Sequence, residues 1–230
     1  MKILALDSTA VVASVAICED EQMLASFTIN GGNTHSETLL PMIEASLKLL
    51  HITPDSNNID LFACSEGPGS FTGVRIGAAT IKGLAFGKNK ACIGVSSLEA
   101  LAYNLRGFDG ILCPVMNARR NQVYNALFEC HGSQVTRLTE DRAIAVSDLE
   151  NELLSYKEKI YINGDGAFLM KNSYAYVPEI LKYPNGYSVA VCALDKYKNG
   201  KCGDDLSLSP SYLRPSQAER ERNEKSNQGE

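Results

Sequence analysis

The apolar positions along the chain fall into two blocks that open with the same rhythm. Residues 2–7 form a short apolar run ending on Asp7, and residues 13–18 (Ala-Ser-Val-Ala-Ile-Cys) follow after a Ser8-Thr9 turn. Residues 23–29 predict a third strand before Asn30-Gly31-Gly32-Asn33 breaks the chain. Either Thr34 or Ser36 caps a helix expected over 36–50, with Glu37 in the favoured first turn. Residues 60–65 predict a buried strand, 67–73 a glycine loop, 72–86 a long helix and 91–95 another strand, after which Ser96-Ser97 open a further helix. The order βββαβαβα joins an antiparallel meander to crossover units.

The second block repeats the opening. Residues 110–116 are apolar, 122–129 alternate as one strand, and 134–138 give a weaker third strand. A helix over 147–154, a strand over 159–162, a helix opened by Gly164-Asp165-Gly166 and a closing helix over 187–198 complete it. Two halves that each begin with three strands predict a duplicated unit, although residue-level repetition is slight. The expected organisation is a first lobe over 1–105, a second over 106–214 and a polar, frayed tail over 215–230, whose charges alternate through Glu219-Arg220-Glu221-Arg222.

Composition narrows the class. With 44% hydrophobic and 21% charged residues among 230, the chain has globular rather than disordered character. No run approaches the ~20 apolar residues of a membrane span, and an acid at position 7 comes too early for a secretory apolar region. A soluble, cytoplasmic protein with no membrane role is expected. The net charge of −5 argues against a free-standing nucleic-acid binder. The seven cysteines contain no Cys-x-x-Cys pair, so buried thiols are expected rather than a zinc knuckle or a redox pair.

Chemistry-bearing motifs are few. Gly67-Pro68-Gly69-Ser70-Phe71-Thr72-Gly73 joins a strand to a helix and suits an anion, since glycines tolerate positive φ and a helix start presents free N–H groups. A tight structural turn accounts for it equally well. Asp7, Gly67, Gly69, Ser70, Gly164 and Gly166 are the candidates for a residual nucleotide or anion loop, with Asp7 favoured as the cap of its own turn. Asn117-Ala118-Arg119-Arg120 reads either as a phosphate or carboxylate contact or as a turn with an interdomain ion pair. The helices over 36–50 and 72–86 carry more apolar perimeter than one sheet face covers. Leu39, Leu40, Ile43, Leu47, Gly73, Val74, Gly77, Ile81 and Leu84 are therefore expected to include a partner-binding face, with Gly73 and Gly77 forming a groove. The three histidines are scattered, so neither a catalytic residue nor a metal site is assigned.

Together these motifs resemble the TsaB (YeaZ) family. The resemblance runs through residues 3–8 and 13–17, His35-Ser36-Glu37, Leu39-Leu40-Pro41, the loop 67–73 with Arg75-Ile76-Gly77, and Lys82-Gly83-Leu84-Ala85. It continues through residues 94–102, Ala118-Arg119-Arg120 with Val123-Tyr124, and Tyr212-Leu213-Arg214. It implies an α/β fold of the ASKHA class (actin, sugar kinase, Hsp70-like), with two similar lobes, each holding a mixed sheet led by an antiparallel three-strand meander. It also implies a part in attaching threonylcarbamoyl to the adenosine beside the anticodon of tRNAs reading codons that begin with A. The implied partners are the catalytic subunit TsaD, which this chain binds and activates, and the accessory ATPase TsaE. tRNA is met only within the complex; the apolar helix faces themselves would serve equally for a second copy of the chain, so the sequence leaves monomer and homodimer both open. The resemblance assigns this chain no cofactor of its own: ATP enters through TsaE and a metal through TsaD. The His-x3-His ligands of TsaD fall here on Ser97 and Leu101, and leucine cannot ligate a metal. A protease label has no metal or nucleophile–base pair to stand on. The chain departs from the family at Asn117, where Asp is usual. The rival reading is an active ASKHA phosphotransferase, favoured by Asp7, the glycine loop and Gly164-Asp165-Gly166.

Overall fold

The computed structural model describes residues 1–53, 58–172, 174–175 and 177–214, so the tail expected over 215–230 lies outside the described residues. The first sheet is led by the meander β1 (Lys2–Asp7), β2 (Ala13–Glu19) and β3 (Gln22–Ile29). After α1 (His35–Leu49), β4 (Leu61–Gly67), α2 (Phe71–Ala85) and β5 (Ala91–Ser96), the short helix α3 (Ser97–Tyr103) leads out of it. The order across the sheet is β3-β2-β1-β4-β5, with β4 and β5 parallel to β1. Thr34 is the residue that caps α1, and its N–H donates to Glu37 Oε2 at 3.3 Å.

Alternation explains why β1, β2 and β4 read as unbroken apolar runs. Leu4, Leu6, Val15, Ile17, Phe62 and Cys64 meet Leu39, Met42, Ile43, Leu47, Ala78 and Ile81 of α1 and α2 on one face. Ile3, Ala5, Ala16, Cys18, Leu61 and Ala63 point the other way. They meet Val189, Ala190 and Cys192 of the last helix, α5 (Gly186–Lys198). A sheet covered on both faces has no polar side to show.

The second sheet is built from β6 (Gly110–Asn117), β7 (Gln122–Asn125), β8 (Phe128–His131), β9 (Gln134–Arg137) and β10 (Arg142–Ala145), followed by α4 (Val146–Leu153) and β11 (Ile160–Asn163). β11 runs parallel to β6. On the opposite edge of β6, β7 and β8 pair in one continuous antiparallel register, Gly110 with Cys130 and Val115 with Asn125. The single strand expected over 122–129 is thus two strands in one line, reaching His131. The ladder breaks at Ala126-Leu127, where the Leu127 N–H turns to Thr139 Oγ1 at 2.8 Å. The third strand expected over 134–138 is β9, and β10 is a further strand that the apolar pattern does not show. No helix follows Gly164-Asp165-Gly166; only a 3-10 turn at Ala167–Leu169 forms. Helix growth stops because the N–H groups of Lys171 and Asn172 are captured by Glu150 Oε1 of α4.

The halves therefore share a meander, a helix and a parallel strand. They are knitted together rather than merely adjacent. α3 packs on the second sheet through Leu98, Leu101 and Leu105 against Leu112, Met116 and Phe128. α5, from the second half, covers the first sheet, and Gly203 bridges to Cys92 of β5. Across the lobes, Arg137 reaches Glu99 at 3.8 Å and Lys196 reaches it at 3.4 Å, while Arg137 also holds Asp141 of its own lobe at 2.6 Å.

Candidate functional site

Strands β1 and β6 end on opposite sides of a cleft of about 800 Å3. Both strand ends make the same local turn. The Thr9 N–H donates to Asp7 Oδ1 at 3.1 Å, and the Arg119 N–H donates to Asn117 Oδ1 at 2.8 Å. A short side-chain oxygen receiving the N–H two residues on is the Asx turn, which Asp and Asn serve equally. Asp7 thus caps the Ser8-Thr9 turn, and Asn117 keeps that turn without the charge. The environments differ. Asp7 is fully buried, and burial pushes its carboxyl above the ordinary range, against the Ser65 and Thr9 side chains, the Thr9 N–H and the charge of His35. Asn117 is exposed, and its own N–H donates to Asp165 Oδ1 at 3.0 Å. Burial raises Asp165 too, opposed by that N–H and by Lys182. His35 lines the cleft and donates from Nε2 to Ala10 O at 2.9 Å.

The glycine loop is filled by the protein's own backbone. A Cβ on Gly69 would stand 2.5 Å from Thr9 O, and one on Gly67 would overlap Ser211 O. The Ser70 N–H donates to Thr9 O at 2.7 Å, and Ser70 Oγ accepts the Gly73 N–H at the start of α2. On the far side, Gly164 packs on Val115 O and Gly166 on the Met116–Asn117 backbone. Of the six expected anion-loop residues, Gly69 and Ser70 line the cleft, while Asp7, Gly67, Gly164 and Gly166 sit behind its wall. The glycines here allow close approach of segments.

The expected partner face needs correction. Leu39, Ile43, Leu47, Val74 and Ile81 are buried in the first core, because α1 and α2 use these positions against the sheet. Gly73 and Gly77 form no outer groove. A Cβ at Gly73 would overlap Ser8 O, and one at Gly77 would lie 2.6 Å from Ser8 Oγ and 3.1 Å from Leu6 Cδ1. Leu40 is 49% exposed and Leu84 half-buried, so these two do reach the outer surface. They share it with Ala79, exposed, and with Gly83, exposed, and Ile76, half-buried, which were not among the expected face residues. Nothing stands within 4 Å of a Cβ at Gly83. A second small-residue register on α2 was the available signal.

Ser97 and Leu101, where the resemblance looks for metal ligands, are both fully buried on α3 and do not line the cleft. No group of three or more His, Cys, Asp or Glu among the described residues is placed to hold a metal ion. Six cysteines are buried free thiols and Cys202 is exposed. Burial pushes Cys18 and Cys92 to about 11 and Cys113 to about 12, where the reactive thiolate is scarce. No helix among the described residues is long and apolar enough to cross a membrane.

The segment 211–214, beyond β5 and α5, ties the lobes across the cleft mouth. The Ser211 N–H donates to Glu66 O at 2.7 Å, and Tyr212 stacks on Phe71 with ring centres 4.3 Å apart. Arg75 lies 4.0 Å over Phe71 and donates from Nε to Tyr212 Oη at 2.8 Å. Arg214 then reaches the other lobe, donating to Ala118 O at 3.1 Å.

Residues 23–196 match the family model described as TsaD: tRNA N6-adenosine threonylcarbamoyltransferase. The chain is 28% identical to the tRNA threonylcarbamoyladenosine biosynthesis protein TsaB of Bacillus subtilis, over 95% of this chain and 96% of that one. It is 38% identical to the TsaB of Buchnera aphidicola subsp. Baizongia pistaciae, over 71% and 75%. In fold it superposes on YeaZ from Pseudomonas aeruginosa with a TM-score of 0.77 at 22% identity, covering 92% of this chain and 99% of that one. Two knitted lobes around a cleft, each led by a meander, are the ASKHA architecture, and with a sequence match along nearly its whole length the chain belongs to the TsaB (YeaZ) family of tRNA threonylcarbamoyladenosine biosynthesis.

Proposed function

We propose that the chain is a non-catalytic subunit that binds and activates a TsaD-type transferase, which carries threonylcarbamoyl to the adenosine beside the tRNA anticodon. The observation that carries this reading is the outer face of α1 and α2. Leu40, Ala79 and Gly83 lie exposed there and take no part in the core, while the neighbouring Ile76 and Leu84 pack against the core on one side and remain half-exposed on the other. Small residues on a helix face let a second helix approach closely, and burying the flanking apolar side chains drives the association. A homologue presenting the same helix pair would close a four-helix seam, so a homodimer and the TsaD complex compete for one surface. An accessory TsaE-type ATPase would supply ATP chemistry, and the transferase would supply the metal.

A phosphotransferase reading needs an open phosphate cradle at residues 67–73. Gly67, Gly69 and Gly73 are instead explained by close packing on the backbone of Ser211, Thr9 and Ser8, which gives the loop a structural role and favours the scaffold. The discriminating experiment is co-purification with the transferase of the same cell, using Gly83→Arg, whose side chain has open space and leaves the fold intact. The expected result is at least ~10-fold weaker association, about 1.4 kcal/mol, with tRNA modification lost in parallel. Unchanged association of folded Gly83→Arg, or threonylcarbamoyl transfer by the purified chain free of transferase, refutes the proposal.

A further inference from the structure

The mouth of the cleft carries charge opposite to that of the chain. Although the sum is −5, Arg119 and Arg214 line the cleft, Arg75 joins them through Tyr212, and Arg120 follows Arg119 in the chain. They are linked by contacts rather than scattered: Arg75 is bonded to Tyr212, Arg214 follows two residues on, and its guanidinium holds Ala118, beside Arg119 and Arg120. Arg75, Arg119 and Arg120 are exposed and Arg214 is half-buried. Among the described residues that line this cleft, Asp165 is the acid, and it accepts the Asn117 N–H.

The backbone beneath the rim is held in an uncommon form. Arg119, Arg120 and Asn121 are three consecutive residues at positive φ, 62°, 52° and 55°. Asn adopts this region readily; arginine does so rarely. The turn is held by the Arg119 N–H on Asn117, the Ala118 N–H on Gln122 O at 3.0 Å and the Arg214 clamp. Such local strain, held in place by the surroundings, recurs where side chains are pre-positioned for a ligand. Tyr212, 43% exposed and seated on Phe71, puts an aromatic ring among these guanidinium groups.

We infer that this arginine and aromatic rim binds the phosphodiester backbone of RNA, and that within the assembly it holds the tRNA. Guanidinium forks match phosphate oxygens, and an exposed ring among them offers a face on which an unpaired base stacks. An acidic protein segment would use the forks but has no use for the ring. The inference rests on the reading of the chain as a subunit of a tRNA-modifying complex. It also explains how an acidic chain meets tRNA, through one basic edge while the rest of its surface repels.

The test uses the chain in complex with its transferase, and the probe is an unmodified transcript of a tRNA reading codons that begin with A. Anisotropy titrations between roughly 50 and 200 mM KCl give both affinity and its salt slope. Assembly is measured first, without RNA. The double variant Arg119→Gln/Arg120→Gln is expected to assemble normally, to bind at least ~10-fold more weakly at low salt and to lose roughly one to two units of slope. Arg120→Gln alone is expected to lose about half of that slope change, and Lys198→Gln, on the exposed end of α5, nothing. Unchanged affinity and slope in the assembled double variant overturn the inference. Loss of assembly in the double variant, with tRNA binding by the free chain unaltered, also overturns it and gives the rim to a protein partner. If no complex forms even with the unaltered chain, the subunit reading fails by itself. The same titrations on the free chain then decide the rim, with salt-dependent binding that the double variant lacks supporting it and no binding refuting it.

Discussion

The two lobes follow one plan to different ends. In each, the first strand ends in an Asx turn, and the strand parallel to it leads into a glycine segment packed on the end of that first strand: Gly73 at the start of α2 on Ser8, Gly164 after β11 on Val115. In the first lobe the loop opens a fifteen-residue helix, capped by Ser70 and laid beside α1. In the second it yields three residues of 3-10 turn, and the outer layer is left to the eight-residue α4. The shared close approach closes the cleft from both sides. The extra helix gives only the first lobe a broad outer face of small and apolar residues. Docking and cleft geometry are thus separable properties of the same duplicated unit.

The largest effect should come from filling the shared close approach. Gly73→Ala and Gly164→Ala each drive a methyl into a backbone carbonyl, and Gly164 also has φ +101°. Each is expected to destabilise by ~3 kcal/mol or more in denaturant titrations, at or above the upper end for overpacking. Gly83→Ala, in open space on the same helix as Gly73, should instead stabilise by about 0.5–1 kcal/mol through helix propensity. A tolerated Gly73→Ala or Gly164→Ala would break the parallel between the lobes.

Next in size is truncation of the two buried helix leucines, Leu39 of α1 and Leu149 of α4, both fully buried. Either change to Ala should cost ~2–5 kcal/mol. Leu40→Ala, one residue along α1, should cost less than ~1 kcal/mol of stability and weaken transferase association instead. The Asx turns give the smallest and most specific effect. Because Asp7 holds its proton to a higher pH in the folded chain than its ordinary 3.8, its contribution is present below 3.8 and is lost as pH rises through the raised folded value. Asp7→Asn should therefore raise the melting temperature at neutral pH, with the gain vanishing below 3.8. Asn117→Asp, at an exposed turn, should stay within about 0.5 kcal/mol at every pH.

The elements most legible in the sequence were those buried on both faces. β1, β2 and β4 are read correctly because alternation disappears only when both sides are covered, and the Asp7 turn because the Asx pattern is local. The break between β7 and β8 had no local cause, since the N–H at Leu127 is drawn off by Thr139, twelve residues away. Helix composition alone offers α2 two small-residue registers and does not say which one meets the sheet; only that of Gly73 and Gly77 reads as a groove. Gly73 and Gly77 look outward in sequence and face inward in space, and Gly83 does the reverse. Of the rim, the sequence shows only Asn117-Ala118-Arg119-Arg120 as a candidate phosphate or carboxylate contact; Arg75, Tyr212 and Arg214 escape it because Phe71 and Tyr212, or Arg214 and Ala118, are joined only by tertiary packing.

The placement of α5 has a consequence for how the chain is made. Ile3, Ala5, Ala16, Cys18, Leu61 and Ala63 are all shielded by a helix that begins at Gly186. A growing polypeptide that has emerged only as far as α3 holds a sheet with one oily face open to water and no partner yet synthesised for it. The first lobe can be started by the ribosome early but completed only when nearly all of the sequence is out. Until then, that bare face is the part of the nascent protein most in need of a chaperone.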